Sequence, residues 1–246
     1  MLSWEGDTAS YSGRPRNARE FCRCATDSAE PSGEKETVAI YFGLSGLQAA
    51  LFGNAEEVRQ RANFAMERSA DRDVQYGAGL ALAYAGDDKR TQPLADDLSK
   101  RFPKETIVQF NYLPTLRAKL ALNNGNASEA MESLRAAMPY ELGQTTSSSY
   151  GWTAMYPIFV RGEAYLAVHK ANEAAAEFQK ILDHRGIVLN APIGALAHLQ
   201  IGRAYRMRGD NAKAKAAYQD FLTPWKDADP DIPALVAAKS EYAKLK

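Results

Sequence analysis

Small, aromatic and polar positions recur along this chain at offsets that fit paired helices. In residues 201–221, IGRAYRMRGDNAKAKAAYQDF, the small Gly202 and Ala214 and the large Tyr205, Tyr218 and Phe221 flank Gly209. A small residue on each of two adjacent helices lets their axes approach, and the large residues fill the space beside them. Gly209 predicts the end of the first helix, because glycine enters the left-handed conformation without a Cβ clash. The same frame runs along the whole chain. Its first small position falls on Gly6, Gly46, Gly79, Ala118, Gly162 and Gly202, and its turn position on Gly13, Gly53, Gly86, Gly125, His169 and Gly209. Its second small position falls on Ala18, Val58, Thr91, Ala130, Ala174 and Ala214.

These offsets match the tetratricopeptide pattern of about 34 residues. Successive copies stand 40, 33, 39, 44 and 40 residues apart, so most carry longer helices or inserted loops. The expected fold is all-α: a right-handed α-solenoid of about six tetratricopeptide-like hairpins in a single superhelical domain, 1–246. The hairpins are expected near 1–29, 37–70, 72–103, 111–139, 154–184 and 194–224. A capping helix is expected at 231–245, with Lys239, Glu241, Lys244 and Lys246 outward. Pro93 predicts a second helix in hairpin three that starts late, near Thr91 or Gln92. Pro114 predicts a start or a kink in the first helix of hairpin four. Met1 falls inside the first repeat with nothing resembling a cap before it, which points to a piece of a longer protein or a shortened relative of one.

Composition narrows the function classes. Lys plus Arg and Asp plus Glu are equal at 30 each, a balance that argues against a nucleic-acid binder. An apolar fraction of 46% suits a packed core. No long apolar run predicts a membrane span and no signal peptide opens the chain. Two cysteines make no disulfide framework. Cys22 is expected in a core slot, and with no second cysteine pair it suggests neither metal nor cofactor. His169 stands at a hairpin turn and His198 is expected half-buried on a helix, with no carboxylate at ligand spacing.

Residues 173–233, from EAAAEFQK through IGRAYRMRGDNAKAKAAYQDF to DADPDIP, resemble the C-terminal tetratricopeptide region of bacterial eukaryotic-like serine/threonine protein kinases. AREFCRCATDSA, ALFGNAEEVRQRA, ALAYAGDD, LSKRFPKET and PYELG are similar to that family too, and related tails follow winged-helix-type regulator domains. The resemblance implies a kinase or regulator domain N-terminal to repeats that bind a partner or sense a ligand. No kinase motif is present in this chain. VAIY at 38–41 has tyrosine where the strand lysine belongs, and DHRG at 183–186 has the catalytic-loop residues in the wrong order. The chain itself is therefore read as non-catalytic. The cytoplasm is the default location, or the periplasm if a parent protein is membrane-anchored.

In this repeat type, fixed positions of each first helix line the concave face. Here they give Tyr76; Tyr112, Thr115 and Lys119; Tyr156, Phe159 and Glu163; and Arg203 and Arg206. Aromatic rings supply contact area with few rotors to freeze, and the cations supply directional bonds. The expected ligand is a protein or peptide with apolar anchors and an acidic end, with loop 139–153 as a gate and Ser147–Ser149 as a candidate phosphorylation run. The alternatives are a structural scaffold that assembles through an exposed N-terminal face, and the sensor tail of a winged-helix-type regulator.

Overall fold

The computed structural model describes residues 2–143 and 153–245. These residues form fourteen helices and, among them, no strand. The first six are α1 (Leu2–Tyr11), α2 (Pro15–Ala29), α3 (Lys35–Leu51), α4 (Ala55–Arg68), α5 (Arg72–Tyr84) and α6 (Asp88–Arg101). Next come α7 (Leu113–Asn123), α8 (Ala127–Leu134), α9 (Tyr156–Ala167), α10 (Ala171–Asp183) and the short α11 (Arg185–Val188). The last are α12 (Pro192–Met207), α13 (Asn211–Leu222) and α14 (Pro233–Ala243). Neighbouring helices pack on one another in a repeat-like array.

Each tight turn is built alike. Gly13, Gly53, Gly86, Gly125 and Gly209 all have φ between 70° and 84°, and His169, at the matching position, has φ 57°. The left-handed residue closes the preceding helix. The following helix then starts on a side-chain cap at three of these turns. Asn54 accepts from the Glu57 amide, Asn126 from Glu129 and Asp210 from Lys213. Asn54 and Asn126 also donate to the carboxylates of those same glutamates.

The prolines divide. Pro93 does not delay α6, which begins at Asp88 and carries the proline inside it. Pro93 is the sixth residue of α6, so the helix gives up the bond its amide would have made to the Lys89 carbonyl. Pro114 stands second in α7, directly after a π-helical turn, Val108–Tyr112. The wider turn accommodates the missing donor.

The first helices carry most of the burial. α5 packs between α3 and α7, α9 touches α7 and α12, and α12 touches α1. The first hairpin therefore lies against the last, and the N-terminal face expected to be bare is covered. Trp225 explains the seat: a Cβ on Gly13 would stand 2.7 Å from the indole and from Ala228. The indole Nε1 donates to the Tyr11 carbonyl at 2.9 Å. The Asp229 amide donates to the Gly13 carbonyl at 2.8 Å, and the Arg16 amide to Asp229 Oδ2 at 3.0 Å. On α14, Lys239 and Lys244 face water as expected, but Glu241 turns inward; Lys246 lies outside the described residues. Among the described residues, no helix is long and apolar enough to cross a membrane.

Candidate functional site

The residues expected to line a concave groove do face inward, but the space they face is filled by their own side chains. The Tyr76 and Tyr112 rings stack with centroids 3.8 Å apart and planes 5° apart. Tyr112 donates to Asp73 Oδ1 at 2.7 Å, Thr115 donates to the Asn111 carbonyl at 2.6 Å, and Phe159 meets Phe178 edge-on. Tyr76, Tyr112, Thr115, Tyr156 and Phe159 are all buried. Burial pushes the Tyr76 and Tyr156 hydroxyls above the usual tyrosine range. The expectation of an open aromatic trough is thus corrected. The Tyr76 and Tyr112 rings stack on each other, and Phe159 packs against Phe178 of α10.

The charged members of that set are also engaged within the chain, with one exception. Lys119 pairs with Glu163 at 3.0 Å and lies over the Tyr84 ring. Arg203 makes a forked pair with Glu241 of α14, with bonds of 2.9 to 3.2 Å. Arg206 is exposed. The acidic group expected from a ligand at Arg203 is therefore supplied by the C-terminal helix.

Part of the expected gate is anchored rather than free. Glu141 is fully buried and receives both Arg161 Nη atoms at 2.9 Å, together with the Lys180 ammonium. Arg161 also donates to Glu177 at 2.6 Å. Burial alone would lower the Arg161 pKa, but the bonds to Glu177 and Glu141 override it and hold the guanidinium charged. The Ser147–Ser149 run and the rest of the loop, 144–152, lie outside the described residues.

An open cleft of about 910 Å³ lies elsewhere, between α2 and α4 above α3. Phe42 of α3 and Phe64 of α4 form its apolar floor, with ring centroids 3.8 Å apart. The Arg68 guanidinium sits 3.2 Å from the Phe64 centroid, and Arg61 sits 5.8 Å from that of Phe42. Ion pairs bridge the two walls at each end: Arg19 to Glu57 at 2.8 Å, and Arg68 to Glu30 at 3.6 Å. Cys22 is half-buried along this cleft rather than lost in a core slot, and its thiol donates to the Tyr41 carbonyl at 3.6 Å. Burial pushes that thiol up, so it is protonated at neutral pH. Two aromatic faces flanked by guanidinium and carboxylate groups can hold a segment with both apolar and charged side chains.

The first-helix frame missed this cleft because its walls belong to second helices. The signal was present as a stripe: Arg61, Phe64 and Arg68 at i, i+3 and i+7 on α4, facing Arg19, Arg23 and Thr26 on α2. A smaller groove of about 370 Å³ occupies the matching place between α10 and α13 over α12, beside Tyr205, Asp220 and His198. His198 is half-buried as expected, and burial holds its pKa below the usual value. No protein-family model matches this chain, and no curated protein is significantly similar to it.

Proposed function

We propose that the chain is a non-catalytic, tetratricopeptide-like binding module that takes a peptide segment or helix of a partner protein in the cleft between α2 and α4. The observation that carries this reading is the floor of that cleft: two phenylalanines in close, tilted contact on the open side of two neighbouring hairpins, with an arginine near each ring. Aromatic and arginine side chains dominate binding energy wherever they sit in a water-excluding concavity. The six left-handed turn residues at one frame position support the tetratricopeptide assignment and a right-handed superhelical course. The segments resembling bacterial serine/threonine kinase tails support a place as the interaction or sensor region of such a parent. A kinase or winged-helix domain would then supply the activity.

Panning a displayed random-peptide library against the protein tests the reading. Enriched peptides that bind at micromolar affinity and lose at least tenfold on Phe64→Asp, with Tm within a few degrees of wild type, support it. A library that yields no binder, or binders indifferent to Phe64→Asp and to Arg68→Glu, overturns it.

A further inference from the structure

We propose that the first hairpin is a proton-controlled latch: α1 stays docked while the Asp7 carboxyl is neutral, and the hairpin releases when that carboxyl ionises. This inference rests on the joint itself and not on the binding reading, although α2 is a wall of the α2–α4 cleft and its release would open that cleft as well.

Asp7 lies on the face of α1 turned into the array and is 3% exposed. Its Oδ1 accepts a hydrogen bond from Gln48 Nε2 of α3 at 2.8 Å. The space beside it is lined by Cys22 of α2 and by Tyr41, Ser45 and Gln48 of α3, with no cation among the lining residues. Tyr156 of α9, also buried, is close enough for the Asp7 charge to act on its hydroxyl. Cys22, Tyr41 and Tyr156 are themselves acids and supply no positive charge, and the Arg61 guanidinium of α4, 4.0 Å from the Cys22 sulfur, is paired with Glu57. Among the described residues, an ionised Asp7 in this position would be a buried carboxylate bonded by one neutral amide, an arrangement that hydration relieves only if α1 moves. Burial accordingly raises the Asp7 pKa to about 8, against a smaller lowering from the Gln48 bond.

The remaining contacts of the hairpin are the packing of α2 on α3, the ion pairs of Arg19 with Glu57 and of Glu30 with Arg68, and the polar contacts and Trp225 seat at the far joint. Asn190 donates to Thr8 at 2.8 Å, the Trp225 indole and the Asp229 amide bond the α1–α2 turn, and Arg16 pairs with the exposed Asp231. The link from α2 to α3 is a 3₁₀ turn, Glu30–Ser32, followed by Gly33 at φ 73°, where a hairpin can pivot. Release would carry Tyr11 and Gly13 away from Trp225 and open the buried tyrosine face to solvent.

Amide hydrogen exchange on the intact chain between pH 6.5 and 9.5, corrected for the intrinsic pH dependence, tests the latch. Protection of residues 2–29 should fall about tenfold per pH unit up to about pH 8 and level off above it, while α5 and α6 keep theirs. Asp7→Asn should abolish that fall. Carboxyl NMR of the unmutated chain gives a readout that needs no variant, with Asp7 expected to titrate near pH 8. Protection of 2–29 that is flat with pH, an Asp7 resonance that titrates in the ordinary carboxylate range, or the same fall in Asp7→Asn overturns the proposal.

Discussion

Arg203 of α12 grips Glu241 of α14 with a forked pair, and Tyr218 of α13 donates to the same carboxylate at 2.5 Å. One acidic residue thereby ties three helices together at the end of the array. Burial by itself would raise the Glu241 pKa; the bonds from Arg203 and Tyr218 override it and hold the carboxyl below its ordinary value. Both side chains are mostly shielded, at 28% and 17% exposure, so the pair outweighs a fully exposed ion pair.

Glu241→Ala should destabilise the chain by about 2 kcal/mol, the range for charge-assisted bonds whose partner is left behind. Because the folded pKa is depressed, this stabilisation is present above the unfolded value and fades as pH falls through the folded one. Urea melts of both chains should therefore differ clearly at pH 7 and draw together as pH falls below the ordinary glutamate range.

Asp7 carries the opposite sign. Its folded pKa of about 8 lies above the unfolded value of ~3.9. Between those two values the folded chain holds a proton that the unfolded chain has released, so this group weakens folding steadily as pH rises. Asp7→Asn should match wild type near pH 4, exceed it increasingly up to about pH 8 and hold a constant margin above that, on the order of 5 kcal/mol at most. Thermal melts across that range read the difference.

Gly162 and His169 test the two small-residue rules of the repeat. A Cβ on Gly162 would stand 2.5 Å from the Phe178 ring, so Gly162→Ala should lower stability by about 1–3 kcal/mol. Phe178→Leu in the same chain should recover part of that loss. His169, at φ 57°, holds a conformation that glycine adopts without strain. His169→Gly should raise Tm slightly, with a gain of about 0.5–1 kcal/mol.

Phe64→Asp should leave the fold intact, since the ring forms part of the open floor between α2 and α4 and is only partly buried. Circular dichroism should be unchanged, and the Tm loss should stay within a few degrees.

The all-helical character was legible in the sequence because the glycine frame is local: a turn residue, a cap and two small positions are each decided within a few residues. The inward direction of Tyr76, Tyr112, Tyr156 and Phe159 was legible for the same reason. Whether that inner face stays open was not, because it depends on ring volumes from four helices meeting across long stretches of chain. Contact between the first and last hairpins was hidden too. It rests on Trp225 seating against Gly13, a pairing across 212 positions that no local pattern announces. The α2–α4 cleft escaped because Arg61 and Phe64 lie on second helices, outside the positions the repeat assigns to ligands.

The claim on which the rest depends is that the first hairpin touches the last. Thr8 and Asn190, whose side chains are hydrogen-bonded at 2.8 Å, mark that joint. In a chain with Cys22 and Cys24 replaced by serine, Thr8→Cys with Asn190→Cys tests it through a short thiol-specific crosslinker at low protein concentration. A closed array predicts rapid, near-complete crosslinking within single molecules at neutral pH. Chains that stay uncrosslinked, or that link only between molecules as concentration rises, would contradict it.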